Sequence, residues 1–157
     1  MIVTPSADLH LAERAITFAA VGTAGQRCTS LRRLFVHEDV YDRLVPRLKR
    51  VWSSVEVGNP LEGALVGPLI DEAAYGAMEA ALKAARVEGG TVQGGERLPA
   101  DTLPGAWYAR PALVEMPGQT PVTMRETFAP LLYVMRYRAL DEAVALHNAV
   151  PQGLASS

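Results

Sequence analysis

The sequence contains only one cysteine, Cys28, among its 157 residues. A disulfide within the chain is therefore excluded, and this cysteine usage is typical of a protein in a reducing compartment. No apolar run approaches the ~18 residues that a membrane-spanning helix needs, and residues 1–5 lack the charged start of a secretory signal peptide. We therefore expect a soluble, cytoplasmic protein that has no membrane partner.

The sequence also lacks an excess of either charge. It has 15 Lys and Arg residues against 17 Asp and Glu residues, a formal net charge of −2, and no long basic run. Nucleic-acid binding requires a basic surface, so we expect no nucleic-acid partner. Hydrophobic residues make up 49% of the chain, which is sufficient for a buried core at this length.

Apolar periodicity predicts helices that alternate with strands along the chain. The predicted strands are residues 1–3, 31–37, 91–93, 107–114 and 131–137, and the predicted helices lie between 9 and 21, 40 and 55, 71 and 88, and 141 and 148. This alternation indicates the α/β class, with a mostly parallel sheet flanked by helices.

Polar residues and prolines predict where several of these elements begin. Asp8 (or Ser6) can cap the first helix, Asp71 can cap the third and Asp141 can cap the last one, because their side-chain oxygens accept from free N–H groups. Pro46 predicts a kink in the second helix, or a helix that begins near this proline. Pro111 predicts that the strand 107–114 lies at a sheet edge or contains a bulge.

Cys28 lies in a polar, glycine-containing stretch between a predicted helix and a predicted strand. Residues 22–30 read Gly-Thr-Ala-Gly-Gln-Arg-Cys-Thr-Ser, a composition that can hold a thiol by its backbone and leave it open to solvent. Such a setting favours a nucleophile. The alternative is a small buried cysteine with a packing role. A Cys–His hydrolase is a further alternative, but the spacing of the three histidines places none of them beside Cys28.

Two motifs together resemble those of the aldehyde dehydrogenase superfamily. Gly25-Gln26-Arg27-Cys28 is similar to the nucleophile segment of that family, and Arg125-Glu126-Thr127-Phe128-Ala129-Pro130 is similar to its second signature. The segments 57–60 and 67–69 match the family's order and spacing. Residues 22–29 and 32–37 further resemble the α-aminoadipic semialdehyde (piperideine-6-carboxylate) dehydrogenase, or antiquitin, branch.

The resemblance implies an NAD-dependent oxidation of an aldehyde to its carboxylic acid. Cys28 would attack the aldehyde carbon, and the resulting thiohemiacetal would lose a hydride to become a thioester. Glu126 would bind hydroxyls of the nicotinamide ribose, Phe128 would pack beside the nicotinamide, and Arg27 would bind the far polar end of the substrate. The alternatives are a solvated loop acid for Glu126, a core aromatic for Phe128 and a surface ion pair for Arg27. The resemblance implies no metal ligands, and a homo-oligomer for the full-length family.

Three parts of the family's machinery have no counterpart in this sequence. There is no Gly-rich dinucleotide-binding fingerprint, no Glu-Leu-Gly-Gly segment for the general base, and no match to the asparagine of the oxyanion hole. We therefore expect residues 1–157 to form a partial catalytic domain, truncated at both ends and without the Rossmann cofactor domain. We expect the isolated chain to be inactive. The alternative is a truncated, non-catalytic remnant that acts only as a folded or interaction module.

Overall fold

The computed structural model describes residues 1–100 and 103–157, which form a central sheet covered by helices. In chain order the elements are β1 (Ile2–Val3), α1 (Leu9–Val21), β2 (Arg33–His37), α2 (Glu38–Ser54), α3 (Glu72–Val87), β3 (Thr91–Gln93), β4 (Ala112–Met116), β5 (Leu131–Tyr137) and α4 (Leu140–Asn148). Short 3₁₀ turns lie at Gly22–Gly25 and Pro60–Glu62. Within the described part of the chain, no helix has the length and apolar content that crossing a membrane requires.

The strands follow the order β1-β2-β5-β4-β3 across the sheet. β1, β2, β5 and β4 run parallel to one another, and β3 pairs with β4 in the antiparallel direction. In the centre, Leu34 of β2 pairs with Val134 of β5, and Val114 of β4 pairs with Tyr133 of β5. This topology confirms the predicted α/β class and its mostly parallel sheet.

The core lies where α1, α2 and α3 cover the central strands. The five residues from Leu131 to Met135 in β5 are all buried, as expected for a parallel strand with both faces covered. From α2, Leu44, Leu48 and Trp52 contribute fully buried side chains.

The second helix begins earlier than one of our alternatives predicts. α2 runs unbroken from Glu38 through Pro46 to Ser54, and the His37 Nδ1 atom accepts from the Asp39 N–H at 3.2 Å to cap it. A helix that begins near Pro46 is therefore wrong, whereas a local bend at Pro46 stays a prediction. An interior proline costs about 3 kcal/mol, and burial of each large apolar side chain returns ~1.5–3 kcal/mol. The stabilisation from the buried side chains of α2 is therefore larger than the destabilisation by Pro46.

The strand predicted at 107–114 is shifted towards the C-terminus. β4 covers Ala112–Met116, while Trp107 and Ala109 form only single bridges, to Leu69 and Arg97. Pro111 directly precedes β4, where its missing N–H removes no ladder bond. β4 lies between β5 and β3, so the predicted edge position is wrong, whereas a bulge at Pro111 stays a prediction.

The predicted helix caps are confirmed for two helices and wrong for the last one. The Asp8 carboxylate accepts from the N–H groups of His10 and Leu11 at 2.9 and 3.1 Å, and Asp71 caps α3. α4 instead begins at Leu140, ahead of Asp141. The Glu142 carboxylate accepts a hydrogen bond from the Arg138 N–H, just before this helix, at 3.1 Å.

Candidate active site

The backbone directly before Cys28 adopts a strained conformation. α1 ends at Val21, and Thr23, Ala24 and Gly25 then take positive φ angles of 56°, 54° and 65°. For a residue with a side chain this conformation costs roughly 1–2 kcal/mol, and a β-branched threonine adopts it rarely. Strain of this kind persists only where the surrounding structure imposes it. The turn therefore re-directs the chain sharply just ahead of the thiol.

Cys28 is exposed in a tight turn that its neighbours close. The Ser30 N–H donates to the Arg27 carbonyl at 3.0 Å, and the Arg27 N–H donates to the Ser30 Oγ at 3.1 Å. The thiol itself is free and open to solvent. The alternative of a small buried cysteine with a packing role is therefore wrong. The turn fixes the backbone and leaves the sulfur available for reaction.

Gln26 joins the nucleophile loop, residues 22–30, to the loop that contains Gly67-Pro68-Leu69. Its side-chain Nε2 donates to the Pro68 carbonyl at 3.2 Å, and its Oε1 accepts from the Ile70 N–H at 2.9 Å. Two sequence motifs that lie far apart in the chain thus meet through one side chain. The amide of Gln26 satisfies backbone groups at both ends, which restrains the loop that presents Cys28.

Arg32 joins the nucleophile loop to the second signature. Its guanidinium donates from Nη2 to the Gly25 carbonyl at 2.7 Å and from Nη1 to the Ala129 carbonyl at 2.8 Å. The same group lies 5.3 Å from the centre of the Phe128 ring. Burial lowers the pKa of Arg32, and the nearby Glu126 carboxylate acts in the opposite direction. Sequence reasoning missed this residue, although it stands at the boundary between the cysteine turn and β2.

Cys28 and Glu126 line the same cavity, which has a volume of about 500 Å³. Glu126 is exposed, so its carboxylate is free to meet a ligand from solvent. Phe128 is 45% exposed beside it, which makes the alternative of a core aromatic wrong. The structure thus places two of the four predicted site residues, Cys28 and Glu126, on one cavity.

His147 also lines this cavity, but it forms no hydrogen bond with Cys28 within residues 1–100 and 103–157. Burial lowers the pKa of His147, with smaller contributions from the chain's N-terminal amino group and from Arg33. His37 is occupied as the cap of α2. The Cys–His alternative therefore lacks the hydrogen bond between nucleophile and base that it needs.

Arg27 faces a different cavity from Cys28. Its Nε donates to the Thr23 hydroxyl at 2.9 Å, and its guanidinium lies 4.8 Å from the centre of the Phe18 ring. These residues line a groove of about 970 Å³ together with Leu65 and Pro68. The contacts that hold Arg27 are a hydroxyl and a ring, so no surface ion pair forms among the described residues. Arg27 and Cys28 are adjacent in the chain but line different cavities.

The parallel sheet, its flanking helices and the cavity beside an exposed thiol define an α/β domain with a cysteine site. The sequence profile described as the aldehyde dehydrogenase family matches residues 1–157. The chain therefore belongs to the aldehyde dehydrogenase family, and the predicted family membership is confirmed.

Relatives with known names support the same branch that the motifs indicate. Aldehyde dehydrogenase family 7 member A1 of Pisum sativum is 46% identical, over 100% of this chain and 30% of that protein. The α-aminoadipic semialdehyde dehydrogenase of Rattus norvegicus is 43% identical, over 100% of this chain and 29% of that protein. The chain thus spans about 30% of the length of these relatives.

Solved structures of the family contain the same fold. Lactaldehyde dehydrogenase of Escherichia coli is 34% identical with a TM-score of 0.90, over 98% of this chain and 32% of that one. Betaine aldehyde dehydrogenase of Staphylococcus aureus, solved in complex with NAD⁺, is 25% identical with a TM-score of 0.92, over 98% of this chain and 31% of that one.

Proposed function

We propose that these 157 residues carry the nucleophile of an enzyme that oxidises an aldehyde to its carboxylic acid with NAD. The observation that carries the proposal is the exposed Cys28 thiol on a strained loop, in one cavity with Glu126. The likeness to a relative named α-aminoadipic semialdehyde dehydrogenase supports a substrate that bears an aldehyde at one end and charged groups at the other.

Cys28 supplies the attacking thiolate in this proposal. Its sulfur forms a bond to the aldehyde carbon, and the carbonyl oxygen becomes an oxyanion that backbone N–H groups of the turn help to stabilise. Loss of hydride from that carbon leaves a thioester on Cys28. Hydrolysis of the thioester then releases the acid and restores the thiol. The chain contributes the nucleophile and its orientation to each of these steps.

Glu126 and Phe128 fit the nicotinamide end of a dinucleotide. Glu126 offers a free, exposed carboxylate that can accept hydrogen bonds from ribose hydroxyls, and Phe128 offers an exposed ring face. When bound, NAD supplies the acceptor for the hydride. Because Cys28 and Glu126 line the same cavity, a dinucleotide held by Glu126 would lie within reach of the thiol.

Arg27 fits the carboxylate end of the substrate. Its guanidinium, which contacts Thr23 and Phe18, lines the groove of about 970 Å³. A planar guanidinium can bind a carboxylate through two parallel hydrogen bonds. In this proposal Arg27 binds the carboxylate end of the substrate while the aldehyde carbon lies at the Cys28 thiol.

We further propose that the general base and most of the dinucleotide-binding surface come from other residues than these 157, which form part of a catalytic domain. The reason is that the sequence contains no dinucleotide-binding fingerprint. The isolated chain should then form no NADH from aldehyde. A non-catalytic interaction module would also form no NADH, so the enzyme and the interaction module must be distinguished by a different experiment.

A chimera separates these two functions. Residues 1–157 replace the matched segment of the rat α-aminoadipic semialdehyde dehydrogenase, and NADH formation from α-aminoadipic semialdehyde is followed for this chimera and for its Cys28→Ser variant. We expect the chimera to form NADH, and we expect kcat to fall by roughly 10³-fold or more in the Cys28→Ser variant, since the nucleophile is removed. A chimera that folds and binds NAD but forms no NADH would contradict the proposed function.

A further inference from the structure

We propose that Arg32 is a positioning residue that sets the distance between the Cys28 thiol and the loop 126–130. The inference deepens the proposed function and rests on it, because the distance matters only if the thiol and the dinucleotide react at one carbon. Arg32 lines the same cavity as Cys28 and Glu126, but its guanidinium donates its hydrogen bonds to the backbone rather than to either side chain. It acts through the two backbone carbonyls that its guanidinium holds.

The first observation is the geometry of the guanidinium. Two of its nitrogens donate to the Gly25 and Ala129 carbonyls at 2.7 and 2.8 Å, so one rigid plane spans the two loops. Its stem is partly buried, and the Phe128 ring lies at 5.3 Å from the charge. A charged donor makes stronger hydrogen bonds than a neutral one, and partial burial strengthens them further.

The second observation is independent and concerns Gly25. A Cβ atom at this position would lie 2.5 Å from the Ala129 carbonyl carbon and 2.7 Å from the Pro130 nitrogen, and closer still to the Ala129 oxygen. The backbones of the two loops are therefore in direct contact at the residues that Arg32 bridges. Close contact and a rigid bridge at the same point fix the separation of the loops.

Lysine cannot replace arginine in this role. A lysine ammonium keeps the positive charge but is a single point at the end of a flexible stem, whereas the guanidinium holds two donors in a fixed fork. Arg32→Lys therefore tests the fork without removing the charge. Arg33 supplies a matched control, because it also binds carbonyls but does so at α4, at 3.0 Å from those of Leu146 and His147.

The experiment that needs no activity is hydrogen exchange on the 157-residue chain. We expect Arg32→Ala to speed amide exchange in residues 25–28 and 127–131 together by about tenfold or more, since two charge-assisted hydrogen bonds are lost. Arg33→Ala should leave both loops unchanged and act near α4 instead. Unchanged exchange in the two loops of a folded Arg32→Ala would overturn the proposal. If that variant does not fold, Arg32→Lys decides by the same criterion.

The second readout is a split between kcat and KM in the chimera described above. We expect Arg32→Lys to lower kcat by roughly 10- to 100-fold, the cost of a misplacement near 1 Å, while KM for the aldehyde stays within about twofold. Equal losses in Arg32→Lys and Arg33→Lys would overturn the proposal. If the unsubstituted chimera is inactive, the proposed function fails, and the hydrogen exchange result still decides whether Arg32 links the loops.

Discussion

Replacing Gly25 with alanine should destabilise the chain more than the same change at a glycine that has a positive φ but no close neighbours. Gly25 has a φ of +65°, and its added Cβ would overlap the Ala129–Pro130 peptide, which belongs to a neighbouring backbone. Backbone atoms cannot move aside as the end of a flexible side chain can. The overlap therefore has to separate the nucleophile loop from the second signature.

The expected loss combines two costs. Alanine in the left-handed region costs roughly 1–2 kcal/mol, and overpacking against fixed neighbours typically costs a further ~1–3 kcal/mol. We therefore expect Gly25→Ala to lower the free energy of unfolding by about 2–5 kcal/mol. Gly63 is the matched control, because it has a φ of +99° with nothing within 4 Å of its added Cβ. Gly63→Ala should lower the free energy of unfolding by the first, conformational term only.

Urea unfolding of the two variants and the parent chain measures this difference. Both substitutions reduce the entropy of the unfolded chain equally, so the gap between the variants isolates the overlap with Ala129. We expect Gly25→Ala to unfold at a clearly lower midpoint than Gly63→Ala, with an unchanged slope. Equal midpoints for Gly25→Ala and Gly63→Ala would refute the close contact of the two loops.

Three further predictions follow from the site. Iodoacetamide should label Cys28 at neutral pH faster than it labels glutathione, and an equal or slower rate would count against an activated thiol. Burial lowers the pKa of His147 below its usual 6.5, so the imidazole binds a proton more tightly in the unfolded chain than in the folded one. The free energy of unfolding should therefore fall as the pH drops below about 6.5. Melting temperatures at about pH 7.5 and pH 5.5 should therefore differ less in His147→Gln than in the parent. In the chimera, Arg27→Gln should raise KM roughly tenfold for a carboxylate-bearing aldehyde but not for one without a carboxylate; equal effects on both would argue against substrate binding by Arg27.

Local signals predicted much of the fold from the sequence. Asp8 and Asp71 were identifiable as caps because an N-cap depends on neighbours within three residues. β5 was identifiable because a strand buried on both faces is continuously apolar over residues 131–135. Cys28 was identifiable as an exposed thiol because polar, glycine-containing residues surround it.

Errors arose where distant contacts outweigh a local preference. Pro46 disfavours a helix locally, but the apolar face of α2 packs on the sheet and stabilises it. Residues 107–109 are strand-like in sequence, but they pair only at isolated bridges with Leu69 and Arg97. Arg32 was missed because its role depends on a carbonyl from the second signature. Spacing along the chain contains no information about such a contact.

The most direct test of the central claim is to identify the residue that carries the acyl group during turnover. The chimera is mixed with NAD and α-aminoadipic semialdehyde, quenched in acid within the first turnover, and digested for peptide mass spectrometry. The proposal predicts an acyl group on the peptide that contains Cys28, and none in Cys28→Ser. Turnover with an unmodified Cys28 peptide, or turnover retained in Cys28→Ser, would contradict it.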